Sequence, residues 1–353
     1  MANIIDYIGY YKNKTFDEVP FNDVDALIFA QFSYIELGKF LSKKTMPISV
    51  YDLSTIYFAS VKPENMKGRP LLFRETYHLF EVMRDTGRYK DILITNYKNV
   101  VDDEKQFGAI TFKNPKKWIY IAFEGTDSSI IGWKEDFDMS HAFPVPSQQM
   151  AIDYLEEEVH FFDKNIYVGG HSKGGNLALI SCMMASSFVR NRVKSIYNFD
   201  GPGVREEEYH SGAYERISKK VKMFVPAQSV VGMILYHDLN YTVVESSNKG
   251  LFQHDGMSWQ CFGSFFVETE LSEKSIRFFK EMRAFLKEIP KEERAEFVSS
   301  IFLVLDKAGI TSTEKVTFSK ILKATTFIGS LTTDKKTNDK LKKIFVILKN
   351  YFK

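Results

Sequence analysis

The clearest candidate for covalent chemistry in this chain is a serine that lies between two glycines. Gly170-His171-Ser172-Lys173-Gly174 fits the pattern G-x-S-x-G, between the β-branched and aromatic run Ile166 to Val168 and the small and apolar residues from Asn176 to Met184. That order predicts a strand, a tight turn and a helix. A serine at such a turn has a strained backbone and an exposed Oγ, and side chains two residues before and after it would collide. The pattern therefore predicts a nucleophile elbow; the alternative is a glycine-rich turn whose serine only caps the helix.

A serine hydroxyl needs a base to take its proton, and that base needs a carboxylate to orient it. Where such an elbow supplies the nucleophile, the acid and the histidine follow it along the chain. Of seven histidines, only His254 follows the last predicted strand at loop distance. We predict His254 as the base; the alternative is a loop histidine bonded to backbone. His171, inside the elbow, is expected to be packed with its side chain turned away from the serine.

Several carboxylates compete for the role of orienting acid. Asp200 ends the strand after the nucleophile helix, from which a carboxylate can reach the histidine, and it is our first candidate. The more usual place follows the next strand, but Val225-Pro226-Ala227-Gln228-Ser229 contains no carboxylate. Asp238 and Glu245 are weaker candidates, and Asp255 adjoins His254 in the chain and is badly placed to face its Nδ1. The alternative role of Asp200 is to form a turn.

Two backbone N–H groups are candidates for stabilising a developing oxyanion. One belongs to Lys173, the residue after the candidate nucleophile. The other comes from the loop after the strand predicted from Trp118 to Phe123, where Thr126 is the natural donor and its hydroxyl a second contact.

Strands and helices alternate through the middle of the chain. The first two predicted strands, Asp91 to Val101 and Phe107 to Phe112, form a hairpin. The strands that follow are Trp118 to Phe123, Ile166 to Val168, Lys194 to Phe199, Val221 to Val225 and Tyr241 to Glu245, and helices are predicted between them. Such alternation predicts an α/β fold with a mostly parallel central sheet and helices on both faces. Ligand chemistry belongs at the carboxyl ends of those strands, where Thr126, Ser172, Asp200 and His254 all fall.

Helical segments are predicted at both ends of this region. Near the start, a helix-like run begins at a plausible Asn22 cap. Residues 38–87 predict a helical lid or flank, and everything from Ser272 onward is predicted to be helical, with a short helix at Ser229 to Tyr236 between two strands. We therefore divide the chain into a domain of residues 1–270 and a C-terminal helical region of residues 271–353.

The composition argues against several classes of protein. Lys and Arg number 47 against 45 Asp and Glu, so nothing global indicates nucleic-acid binding. Cys182 and Cys261 match no metal or redox spacing, so we expect no metal, no cofactor and no disulfide, in a reducing cytoplasm. The start of the chain lacks the pattern of a signal peptide, and no apolar run approaches the ~18 residues of a membrane span.

The last helix has a basic amphipathic pattern. Its apolar residues fall on one face, and they are Leu341, Ile344, Phe345, Leu348, Tyr351 and Phe352. This face is typical of a helix docked on its own domain, with the lysines on the solvated side. The alternative is peripheral contact with an anionic membrane.

Two stretches resemble the lipase class 3 enzymes. Residues 122–137, A-F-E-G-T-D-S-S-I-I-G-W-K-E-D-F, are similar to the F-R-G-T…W…D stretch of that family, and residues 169–178, G-G-H-S-K-G-G-N-L-A, to its G-H-S-L-G-G-A-L-A. With N-F-D-G-P-G, S-V-V-G and Q-H-D-G-M-S-W, the chain resembles a bacterial branch of the α/β-hydrolase superfamily over about residues 90–260.

This resemblance implies an esterase- or lipase-like fold with Ser172 as nucleophile, Thr126 at the oxyanion loop and His254 as base. Glu124 replaces an arginine of the family and Lys173 an apolar residue, which predicts a more polar pocket mouth and a substrate other than triglyceride. Ser229 stands where class 3 lipases carry the triad aspartate, so the acid cannot be carried over from them.

The leading prediction is a serine hydrolase that cleaves a carboxylic ester or thioester, from a small molecule or a lipid, through an acyl-enzyme. The same triad would serve transfer of the acyl group to another acceptor, or amide cleavage. From a different class, the alternative is a catalytically silent domain that serves binding or assembly.

Overall fold

An eight-stranded sheet lies at the centre of the protein, whose computed structural model describes residues 2–102, 105–115, 117–126, 138–139, 141–238, 240–290, 293–294, 296, 299–300 and 335–352. The strands lie in the sheet in the order in which they follow along the chain. They are β1 Ile48–Ser49, β2 Leu93–Val101, β3 Gln106–Asn114, β4 Trp118–Phe123, β5 Ile166–His171, β6 Val193–Phe199, β7 Val221–Pro226 and β8 Thr242–Val244. Pairs from β1 to β4 are antiparallel, and those from β4 to β8 are parallel.

Helices cover both faces of this sheet. Their bounds are α1 Ile4–Tyr10, α2 Asp23–Phe32, α3 Val50–Ser60, α4 Leu71–Arg84, α5 Pro146–Glu158, α6 Lys173–Met184, α7 Ser187–Arg192, α8 Glu206–Tyr209, α9 Gly212–Ser218, α10 Glu273–Lys287 and α11 Lys335–Phe352. A two-stranded hairpin, β9 Cys261–Phe262 and β10 Phe265–Phe266, follows β8. The predicted α/β-hydrolase fold, with a mostly parallel central sheet flanked by helices, is confirmed.

Alternate residues of β4 point to opposite sides of the sheet. Trp118 and Tyr120 belong to a first core, shared with α1 to α4. Ile119 and Ile121 belong to a second core, shared with α5 and α6. A strand buried on both faces gives this period of two. The result is three layers, with helices on either side of the sheet.

Helix α2 is buried on nearly every side, and a charged network fixes its start. The Asn22 cap accepts from the N–H groups of Val24 and Asp25, as predicted, and the Asp25 carboxylate accepts in return from the Asn22 N–H. The same carboxylate forms a fully buried ion pair with Arg88, whose Nη2 lies 2.5 Å from Asp25 Oδ2. The Tyr89 hydroxyl donates to Asp25 Oδ1 at 2.6 Å. One carboxylate thus caps α2 and ties it to the segment between α4 and β2.

The segment of residues 38–87 packs on the first core. It contains β1, α3, a 3₁₀-helix at Pro63–Met66 and α4. Leu53 and Tyr57 of α3 and Phe80 of α4 are buried there. Its movement as a lid, and the division of the chain at residue 270, stay predictions.

The apolar face of α11 is covered where its side chains are described. Leu341, Ile344 and Phe345 are buried, and α10 packs against α11. Lys343 on the same helix pairs with Glu288 at 2.6 Å. Docking therefore accounts for this part of the stripe, and membrane contact stays a prediction. The side chains of Leu348, Tyr351 and Phe352, and the helix predicted near Phe318, lie outside the described residues.

The short helix predicted from Ser229 to Tyr236 is wrong. Only Val231–Met233 forms a 3₁₀ turn. Two features stop a longer helix: the Gly232 N–H is bonded to the Asp200 carboxylate, and Leu235 has a φ of 66°, outside helical space.

Within the residues that the structure describes, no helix is both long and apolar enough to cross a bilayer. Cys182 and Cys261 are buried free thiols.

We expect Asp25→Asn to lower the free energy of unfolding by about 3–5 kcal/mol, because it leaves the buried Arg88 guanidinium without its counter-charge. Asp23→Asn is the matched control on the same turn of α2. Asp23 pairs with Lys222 near the surface, so its loss should cost less than about 1 kcal/mol. Urea unfolding measures both, and equal effects would contradict the assignment.

Candidate active site

The turn between β5 and α6 has the geometry of an elbow. Ser172 has φ 57° and ψ −130°, a backbone conformation that non-glycine residues rarely adopt. A side chain at Gly170 would overlap the backbone of Gly174, and one at Gly174 would overlap the carbonyl of Phe123 at the end of β4. Both positions leave no room for a side chain, because the turn packs directly against the neighbouring strand.

His254 and Asp200 are brought together although 54 residues separate them. His254 Nδ1 lies 2.6 Å from Asp200 Oδ2. The Asp200 side chain has no exposed surface, and that of His254 is 28% exposed. Asp200 has a φ of 49°, so it also forms the turn that was the alternative reading of this residue. A buried carboxylate that accepts from Nδ1 holds an imidazole with Nε2 available as a base.

The second oxygen of Asp200 is held from the loop that follows β7. The Ser229 hydroxyl donates to Oδ1 at 2.5 Å, and the Gly232 N–H donates to the same atom at 3.1 Å. Each carboxylate oxygen thus has separate partners. The sequence marks Ser229 only as a missing aspartate and gives no sign of this contact.

Gln253 fixes the loop that carries His254. Its carbonyl accepts from the Trp259 indole N–H at 2.9 Å, and its side-chain oxygen accepts from the Gln228 N–H at 2.7 Å. Gln228 in turn accepts from the Gly250 N–H at 2.5 Å. These bonds join the loop after β7 to the loop after β8.

His171 is packed, as expected, and it also contacts the candidate base. Its Nε2 lies 2.6 Å from the carbonyl oxygen of His254, so Nε2–H donates to that oxygen. Nδ1 therefore accepts from the Tyr34 hydroxyl at 3.0 Å. Burial, with the nearby His254, holds the pKa of His171 well below its ordinary value, so the ring is neutral. Sequence reasoning missed this link, because Tyr34 and His254 are distant from the elbow along the chain.

Ser172 makes its described hydrogen bonds through its backbone. Its N–H donates to the Phe199 carbonyl at 2.9 Å, and its own carbonyl accepts from the Gly175 N–H at 2.9 Å. The residue is buried, with 8% of its surface exposed, where the sequence pattern predicts an exposed Oγ. Among the described contacts, none joins Ser172 Oγ to His254 Nε2. Such bonds are often long in unliganded enzymes and tighten with substrate.

The candidate oxyanion loop lies against the elbow. A side chain at Gly125 would meet the His171 carbonyl oxygen at 2.5 Å, so the two backbones touch there. Thr126, the next residue, is half-buried, and Lys173 supplies the first N–H of α6. The structure brings these segments together, and the donor roles of Thr126 and Lys173 stay predictions.

The Lys173 side chain does not line a pocket mouth, and that part of the sequence prediction is wrong. Lys173 is 1% exposed, and its Nζ donates to the carbonyl of Gln106 at the start of β3, at 2.8 Å. A backbone carbonyl of the sheet gives the buried ammonium a hydrogen bond that an apolar interior would not.

Two other carboxylates have different partners. Asp238 accepts from the Tyr209 hydroxyl at 2.7 Å. Asp255 accepts from the Met257 N–H at 3.0 Å, and burial raises the pKa of its carboxyl. In the described part of the chain, no cluster of three metal-ligating side chains is present.

Comparisons with known proteins give a family and several distant structural likenesses, two of them to lipases. A family model described as Mbeg1-like matches residues 83–303. A fungal lipase solved as an inhibitor complex is 18% identical, with 48% of this chain and 68% of that chain covered and a TM-score of 0.33. The M37 lipase is 17% identical, with 59% and 67% covered and a TM-score of 0.35. Neither likeness is close enough to carry a functional argument, and a comparison with curated proteins gives no match.

His171 predicts a dependence of stability on pH. Because its folded-state pKa is depressed, the unfolded chain binds the proton first as pH falls below about 6.5, and stability is lost there by up to about 1.4 kcal/mol per pH unit. His171→Gln replaces the ionisable ring by a neutral amide. The free energy of unfolding, measured with urea, should therefore fall less steeply between pH 7 and pH 5 in this variant. An unchanged slope would contradict a neutral, buried His171.

Proposed function

We propose that this chain, which belongs to the Mbeg1-like family, is a serine hydrolase that cleaves a carboxylic ester or thioester. One observation carries the proposal. The Asp200–His254 pair, joined at 2.6 Å, lies at the carboxyl edge of the sheet beside a serine held at positive φ. A nucleophile at a strained turn with an oriented imidazole nearby is the arrangement that acyl transfer requires.

In the proposed reaction, His254 Nε2 takes the proton of Ser172 while Oγ attacks the carbonyl carbon of the substrate. The N–H groups of Lys173 and Thr126 stabilise the oxyanion of the tetrahedral intermediate. Asp200 holds the imidazolium that forms. The protonated His254 then donates to the leaving alcohol or thiol, and a water, deprotonated by the same nitrogen, releases the acyl group from Ser172.

The substrate we propose is an ester of a small molecule or a lipid. The inward course of the Lys173 side chain removes one argument for a polar pocket mouth, so the argument against triglyceride depends on Glu124 alone. We also propose the bacterial branch of the α/β-hydrolase superfamily, and a cytoplasmic location, which the two buried free thiols support.

A silent domain that serves binding or assembly is the second candidate. The observation that favours it is the missing contact between Ser172 Oγ and His254 Nε2 among the described residues. Labelling of the purified protein by a fluorophosphonate separates the two candidates. A reactive Ser172 requires a working base, whereas a silent domain would not be labelled.

We expect Ser172→Ala to abolish labelling and to lower kcat on short p-nitrophenyl esters by about 10⁶-fold, with the fold intact. Ser181→Ala is the matched control, since Ser181 lies on the same helix, α6, and its hydroxyl donates to the Ala178 carbonyl at 3.2 Å. The control should label and hydrolyse like the parent. An active Ser172→Ala variant would remove the elbow from the mechanism.

We expect Asp200→Asn to lower kcat by about 10³- to 10⁴-fold, because the amide no longer orients and stabilises the His254 imidazolium. Asp238→Asn should stay near the parent rate, since that carboxylate contacts Tyr209. The opposite ranking in the same ester assay would transfer the role of the acid to Asp238.

A further inference from the structure

We propose that Ser229 is a positioning residue that makes the triad a tetrad, Ser172–His254–Asp200–Ser229. This inference rests on the proposed function for its role in catalysis. Ser229 contacts neither the candidate nucleophile nor the base in the described structure, and it acts through Asp200.

The two oxygens of the Asp200 carboxylate bind different partners. Oδ2 faces His254 Nδ1 at 2.6 Å, and Oδ1 accepts from the Ser229 hydroxyl at 2.5 Å and from the Gly232 N–H at 3.1 Å. Because Asp200 has no exposed surface, no bulk water can replace a lost donor. The two donors on Oδ1 therefore fix the rotation of the carboxylate and keep Oδ2 on the imidazole.

The close contact between Asp200 and the loop after β7 also constrains Gly232. A side chain at Gly232 would overlap Asp200 Oδ1 and would come within 3.1 Å of Ser229 Oγ. Only glycine lets this backbone N–H reach the carboxylate. The turn at Val231–Met233 is thus built around Asp200, and Ser229 is the side chain that completes it.

Loss of the Ser229 hydroxyl should change the pKa of His254 in a predictable direction. A donor on Oδ1 draws negative charge from Oδ2 and weakens the pull of the carboxylate on the imidazolium. Without it, Asp200 stabilises protonated His254 more strongly, so the pKa of His254 rises. The Gly232 N–H still holds Oδ1, so Oδ2 stays on the imidazole, and the altered basicity of His254 lowers kcat as well. A hydroxyl that only filled space would change neither the pKa nor the pH profile.

The position of Ser229 also predicts that the two residues can exchange places. β6 and β7 are neighbouring parallel strands, so Asp200 and Ser229 leave the same edge of the sheet side by side. With their polar atoms 2.5 Å apart, an aspartate at 229 and a serine at 200 would occupy the same two positions in reverse. Ser229→Asp alone would place two carboxylates together, where one must stay protonated, and it is expected to be impaired.

The test follows the His254 pKa by NMR of histidine-labelled protein, together with the pH profile of kcat/KM on a p-nitrophenyl ester. We expect Ser229→Ala to raise the His254 pKa by about one unit, move the acid limb with it and lower kcat about tenfold. Ser229→Thr retains a hydroxyl and should remain close to the parent in pKa. The control Ser218→Ala removes an exposed hydroxyl that donates to the Glu215 carbonyl on α9, and it should change nothing.

The exchange is tested beside these variants. The kcat/KM of the double variant Asp200→Ser/Ser229→Asp should be at least about tenfold higher than that of Asp200→Ser alone. If Ser229→Ala does not fold, Ser229→Cys, a weaker donor of similar size, should give a smaller pKa shift in the same direction.

An unchanged His254 pKa in Ser229→Ala or Ser229→Cys would overturn the inference, whatever the activity. The NMR measurement needs no hydrolysis, so it separates two failures. If the parent neither labels nor hydrolyses and the pKa still shifts, the proposed function fails and the positioning role stands. If the parent hydrolyses and the pKa does not shift, only the positioning role fails.

Discussion

The backbone of Ser172, held at a φ of 57°, is the constraint on which the site depends. A non-glycine residue keeps such a conformation only where its surroundings over-determine it. Here β5 is locked between β4 and β6, the Ser172 N–H donates to the Phe199 carbonyl, and Gly174 packs on the carbonyl of Phe123. The strain is therefore supported by three parallel strands, and the serine is carried on the most buried part of the sheet.

The candidate site assembles at one edge because those strands all end there. Ser172 follows β5, Asp200 follows β6 and Ser229 follows β7, while the loop with His254 comes after β8. The loop after β7 connects Asp200 with the loop that carries His254. Its Gln228 is bonded to the loop of His254, and its Ser229 is bonded to Asp200. A segment that lacks the expected carboxylate thus positions both partners of the candidate nucleophile.

Local patterns predicted the parts of this structure that depend on neighbours in the chain. The strand, turn and helix around Ser172 and the Asn22 cap depend on rules that act within a few residues. Strand alternation and chain order made Asp200 the first of several candidate partners of His254, because parallel strands end at a common edge, and the two side chains lie 2.6 Å apart. The fold class followed from the same alternation.

Contacts between distant segments were beyond such patterns. The side chain of Lys173 turns inward because the Gln106 carbonyl, 67 residues earlier, is available to it. Nothing near Asp25 shows that Arg88 will need its charge, and nothing near Ser229 shows that Asp200 lacks a donor. These long-range contacts form where a buried polar group would otherwise lack a hydrogen-bond partner. Which groups those are depends on the packing of distant segments, so the sequence alone does not show them.

The bond from His171 to the His254 carbonyl has a consequence for how the candidate site responds to substrate. The His171 imidazole, next to the candidate nucleophile, is in a single tautomer and donates to the main-chain carbonyl of the candidate base at 2.6 Å. The two segments therefore lose their relative freedom when the chain folds, and little reorganisation is left for the moment of binding. A substrate that brought Ser172 Oγ and His254 Nε2 together would therefore act by rotating side chains within a preorganised frame.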